Sequence, residues 1–196
     1  MSMVLGPIHY WLYAKIGNQE ALTKALAEKA QGEGWIDDAS SYAKELPPLE
    51  TVIDEGNIHG WLQEQIHEAE TRYARLVSGV LSADAKRINA LCEAAFAFGR
   101  EHALDADCDT QAAYQAFENF FVNGMPCDRI NAVTEESAVR VSWEMTQDIH
   151  AQYWSAYADG SALYYTLRKS VMDGMLSETG LALQASDNSH YSIIKK

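Results

Sequence analysis

Cys127 follows Gly124-Met125-Pro126 and precedes Asp128-Arg129. A thiol beside a cation is a candidate thiolate, and a thiolate is the nucleophilic form of cysteine. Such chemistry needs a base within hydrogen-bond reach, and the histidines after Cys127 are His150 and His190. His150 is the better partner, because Asp148-Ile149-His150 is followed by Tyr153 and Trp154. That run supplies a carboxylate, an imidazole and an aromatic wall, the components of a general acid/base pocket. The reading assigns Cys127, Asp148 and His150 to catalysis and Arg129, Tyr153 and Trp154 to substrate binding. It predicts that His150→Ala abolishes turnover and leaves the fold intact. The competing account makes Cys127 a packed thiol next to an Asp-Arg pair, with Asp148 capping a helix whose Trp154 fills the core.

A second constellation lies upstream. Glu64-Gln-Ile-His67 has the Glu-x-x-His step of di-metal carboxylate bundles, and with His59 it forms a candidate metal set of His59, Glu64 and His67. The chain holds no second Glu-x-x-His to complete a bundle site, so the same residues also read as the solvated face of an amphipathic helix. His9, among Tyr10, Trp11 and Tyr13, reads as a hydrogen-bonded core or interface residue. No glycine-rich phosphate loop, Walker sequence, GxSxG elbow or HExxH is present, and no motif names a cofactor.

The elements that must position these residues are mostly helical. Pro7 to Ile16 reads as a short helix stopped by Gly17-Asn18, and Gln19 to Ala30 as a second. A connection with a short helix near Asp38 to Leu46 follows. Asn57 caps a long amphipathic helix to Leu81, and further helices span Ala85 to His102 and Thr110 to Gly124. Ile130 to Val133 and Ala138 to Met145 then read as a hairpin, with Val139, Val141, Trp143 and Met145 on its buried face. A short helix carrying His150, Tyr153, Trp154 and Tyr157 leads to a longer one through Tyr164 and Val171. Leu181 to Ala185 and His190 to Ile194 form a last hairpin.

The expected fold is therefore α+β: a helix-rich N-terminal two thirds packed on a four-stranded antiparallel sheet made by two C-terminal hairpins. The 196 residues read as a single domain, with 1–82 a helical extension or layer and 83–196 the α+β core. The formal charge is -13, from 28 Asp plus Glu against 15 Lys plus Arg. So acidic a surface repels phosphate backbones and anionic headgroups, which excludes nucleic acid and membrane as expected partners. Three cysteines without CxxC spacing suggest reduced thiols in the cytoplasm, and the apolar start lacks the basic flank of a signal peptide. Apolar and aromatic residues near the N-terminus suggest a homodimer surface.

From about Ala85 onward, the order of elements resembles the bacterial aminothiazoline-carboxylate hydrolase-like family, itself similar to vinyl-reductase-type ligand-binding domains. The residues carrying the resemblance are Phe98-Gly99-Arg100-Glu101, Val139-Arg-Val-Ser-Trp143, Trp154 with Ala158-Asp-Gly160, the helix through Tyr164, Arg168 and Gly174, and the turn at Ser186-Asp187-Asn-Ser189. Where that family has Cys-Pro and a late Cys, this chain has Gln147-Asp148 and Ser189-His190. The resemblance implies an α+β fold and hydrolysis of a C-N bond in a small polar heterocyclic or amide compound. Two alternatives stand beside it: a non-catalytic small-molecule-binding or sensor domain, favoured by the missing cysteines, and a metal-binding helical protein.

Overall fold

The computed structural model describes residues 5–155 and 160–196. Pro7 opens the first turn of α1 (Pro7–Gly32), where its missing N–H costs nothing, and the Gly6 N–H donates to His9 Nδ1 at 2.9 Å. The helix passes Gly17-Asn18 without a break, which corrects the expected pair of helices. A mid-helix glycine costs only about 1 kcal/mol relative to alanine. Here Leu12 and Ile16 are buried on one side of it and Leu22 and Leu26 on the other, and the Asn18 amide donates to the Phe120 carbonyl at 3.1 Å.

The connection after α1 holds two 3-10 turns, Ala39–Tyr42, capped by Asp38, and Leu49–Thr51. Asn57 caps α2 (Ile58–Ala83), whose Leu62, Ile66, Ala69, Tyr73, Leu76, Val77 and Val80 form its buried stripe. A 3-10 turn at Ala85–Arg87 leads into α3 (Ile88–Glu101), and Asp109 caps α4 (Thr110–Phe120). After the first hairpin come α5 (Ala151–Trp154) and α6 (Ala162–Met175). The expected continuation of α5 through Tyr157 falls outside the described residues.

The strands are β1 (Asn131–Glu136), β2 (Arg140–Met145), β3 (Leu181–Ala185) and β4 (His190–Lys195). They form an antiparallel sheet of order β1-β2-β4-β3, so the hairpins join through their second arms. Val141, Trp143, Met145, Tyr191, Ile193, Leu181 and Leu183 are buried on its inner face. Trp143 stacks on Tyr191 and meets Tyr114 and Phe117 of α4. On the other face the Ser142 and Ser192 hydroxyls pair at 2.9 Å. Val139 is not on the buried face as expected. It sits 58% exposed in a turn closed by the Ser137 N–H donating to the Arg140 carbonyl, because β1 runs on to Glu136 through a bulge between Val133 and Glu135.

One hydrophobic cluster runs from Leu22 of α1 to Ile193 of β4, so residues before and after 82 share it. A smaller cluster joins Leu12 and Ile16 to Leu62 and Ile66. Helices α3 and α6 cross where Gly99 faces Gly174. A Cβ on Gly99 would stand 2.2 Å from the Val171 carbonyl oxygen, and one on Gly174 would stand 2.2 Å from that of Phe96. Gly174→Ala therefore forces the helices apart and lowers stability by about 1–3 kcal/mol or more. Gly79→Ala, on the exposed side of α2 with nothing within 4 Å, leaves stability unchanged or raises it by up to about 1 kcal/mol. Urea denaturation midpoints of the two variants check the contrast.

Candidate functional site

Helix α6 brings a cation into the interior. Arg168 lies on the same stripe as Tyr164, Val171 and Met172 and is 3% exposed. Its guanidinium donates to Asn123 Oδ1 at 2.8 Å and lies over the Phe121 ring, with Cζ 4.8 Å from the centroid. The Asn123 amide in turn donates to Glu118 Oε1, which also accepts from Asn131 Nδ2. A neutral amide thus stands between the guanidinium and the nearest carboxylate of this chain of bonds. No described carboxylate forms an ion pair with Arg168.

Beside Arg168 is a cavity of about 20 Å³ between α1, α2, α4 and α6, room for one water-sized or slightly larger particle. Its walls are almost wholly apolar, with Leu22, Phe120 and Phe121 among them, and Gln19, Tyr73 and Arg168 also line it. Gln19 Nε2, the Tyr73 hydroxyl and Arg168 Nε are all buried and unpartnered among the described residues. Two of these are obligate donors, and the hydroxyl can donate as well. Burial pushes the Tyr73 hydroxyl well above its usual pKa, so it keeps its proton.

A second buried cation is near. Lys15 is 2% exposed, with Nζ 4.0 Å from the Trp11 ring centroid, one helical turn before Asn18 and Gln19. Burial lowers its pKa to about 8 against the pull of Glu118, and the Arg168 charge lowers it further.

The residues singled out from the sequence lie elsewhere. His150 is 1% exposed; its Nδ1 is 2.9 Å from Glu70 Oε1 of α2, and its ring stacks on Tyr164 with centroids 3.6 Å apart. Cys127 is exposed, and its thiol meets its neighbour Asp128 at 3.7 Å rather than a histidine. The nucleophile and base of the hydrolase reading therefore do not form a hydrogen-bonded pair. Arg129 takes a left-handed conformation, φ 48°, in the turn before β1.

Asp148 is fully engaged. Its Oδ1 accepts from the His150 and Ala151 amides and the Tyr165 hydroxyl, and its Oδ2 accepts from Ser161. Burial pushes its carboxyl pKa up, but these hydrogen bonds outweigh it and hold the group below its ordinary value. Asp148 thus ties α5 to α6. Trp154 is fully buried, edge-on to Tyr73, while Tyr153 packs on His67. His59 packs on His9, and no group of three His, Cys, Asp or Glu among the described residues is placed to hold a metal ion, so His59, Glu64 and His67 do not converge.

Sequence reasoning passed over Lys15, Gln19, Glu70, Tyr73 and Asn123 as site residues. The signal available was a charged residue inside an apolar stripe: Glu70 between Ile66 and Val77, or Arg168 between Tyr164 and Met172. The chain matches no family model, no curated protein and no solved structure. No described helix is long and apolar enough to cross a membrane.

Two outcomes follow from the geometry. His150→Ala leaves Glu70 buried without its partner and lowers stability by roughly 3–5 kcal/mol, in contrast to the fold-neutral effect expected from the sequence. Chemical denaturation measures it. Lys15→Met should stabilise the protein by roughly 1–3 kcal/mol at pH 7. Because the folded pKa of Lys15, about 8, lies below the ordinary 10.5, the cost of its charge is present in full below pH 8. That cost disappears as pH rises toward 10.5, so the stability difference between variant and parent shrinks over the same window.

Proposed function

We propose that this chain is a small-ligand-binding domain that receives a compact anionic group, a carboxylate or an ion of similar size, beside Arg168. The observation that carries the reading is the donor set around one cavity. Gln19, Tyr73 and Arg168 line it, and Gln19 Nε2, the Tyr73 hydroxyl and Arg168 Nε are buried without a partner among the described residues. A buried cation without a counter-charge is costly, and an anion held by several donors removes that cost. Lys15 adds a second positive charge close enough to Arg168 for the two to repel. Apolar walls with a few convergent polar groups are the usual make-up of a small-molecule site. The reading belongs with the non-catalytic binding alternative, and it places the ligand away from Cys127.

Thermal unfolding tests it, with sodium formate replacing sodium gluconate, whose anion is too large for the cavity, at constant ionic strength. Formate raises Tm saturably, by the equivalent of about 2.7 kcal/mol at a hundred times its dissociation constant. Arg168→Met, which keeps the volume and removes the buried charge, folds and loses the response. The absence of a saturable rise, or a rise that persists in Arg168→Met, overturns the proposal.

A further inference from the structure

Strand β1 is an edge strand, paired with β2 on one side only. Its register sets Val133 opposite Trp143 and Glu136 opposite Val141. Directly paired residues point to the same face of a sheet. Val133 and Glu136 therefore face the side on which α4 covers Trp143. Yet Val133 is 45% exposed, because α4 packs over β2 and β4 and meets β1 through side chains at the strand's two ends, where Asn131 donates to Glu118 and Gln111 donates to Glu136. Between them lies an open groove of about 510 Å³, walled by Gln111, Tyr114 and Gln115 of α4 and floored by Val133 and Val141. Val139, 58% exposed, extends the apolar surface at the hairpin turn.

The charge around this groove is mostly negative. Glu135 and Glu136 are on the strand, and Asp105, Asp107 and Asp109 lie in the segment leading into α4. The Thr110 hydroxyl donates to the Ser137 carbonyl at 3.2 Å and so brings that segment against the hairpin turn. Arg140, 3.9 Å from Glu135, is the cation that offsets part of this charge. We infer that the α4–β1 groove docks an extended, basic segment of another polypeptide, which adds to the free edge of β1 and sets an apolar side chain against Val133. An added strand satisfies the open backbone groups of the edge, and alternate side chains reach the groove. A second copy of this chain would bring Glu135 and Glu136 against the same residues within a total charge of -13. A nucleic acid would meet the same repulsion.

This surface is independent of the Arg168 cavity and is tested on the intact chain. The probe is a fluorescein-labelled peptide, Lys-Val-Lys-Val-Lys-Val-Lys, followed by anisotropy, with the Glu-for-Lys version as comparison. The basic peptide binds, and the acidic one does not. Affinity falls as salt rises. Val133→Lys and Glu136→Lys each weaken binding at least tenfold, while Glu28→Lys on α1 makes a like charge change and alters it less than twofold. Equal loss in all three variants would reduce the effect to general charge attraction and overturn the inference. So would absence of binding, equal binding of the acidic peptide, or a dimer by light scattering that Val133→Lys dissociates.

Discussion

Helices α3 and α6 approach backbone to backbone because Gly99 and Gly174 offer no side chains at their crossing. Much of the interior depends on that approach. It sets the depth of α6, and α6 carries Tyr164, Tyr165 and Arg168 on adjoining positions. With α6 so placed, Tyr164 reaches the His150 ring, Tyr165 reaches Asp148, and Arg168 reaches across to Asn123 after α4. Moved outward by the width of a methyl group, the same side chains would miss partners whose hydrogen bonds tolerate only a few tenths of an ångström.

Charges buried within this frame are handled in different ways. Glu20 has Arg72 at 2.5 Å; burial raises its carboxyl pKa, and the arginine works against that rise. Glu70 has His150. Arg168 meets a neutral amide and an aromatic face, with Glu118 one bond further along the chain of amides. The first two are direct contacts that hold α1 to α2 and α2 to the start of α5, with Glu20 Oε2, Glu70 Oε2 and His150 Nε2 left without a partner among the described residues. The third has no carboxylate in contact among the described residues and lies beside the cavity.

The fold was largely legible from the sequence, and the candidate site was not. Alternation of Val141, Trp143 and Met145 with Ser142 and Glu144 announces a half-buried strand whatever its surroundings, and both hairpins follow from that signal. The α1 break at Gly17-Asn18 was misread because local propensity is weak against burial on both sides of the glycine. Cys127, Asp148 and His150 attracted attention through residue type, but an imidazole two residues from a carboxylate says nothing about which atoms it meets. Glu70 is eighty positions from His150, and a single sequence holds no trace of that pairing. A charge set within an apolar stripe, as at Arg168, was the readable clue, because such a residue is buried with whatever satisfies it.

At 26 residues, α1 is about 39 Å long, and it contributes Leu12 and Ile16 to the small hydrophobic cluster and Leu22 and Leu26 to the large one. A stiff rod set into two cores acts as a mechanical strut. The two cores are thereby joined by one helix, and the cavity beside Arg168 lies against its middle, at Asn18, Gln19 and Leu22.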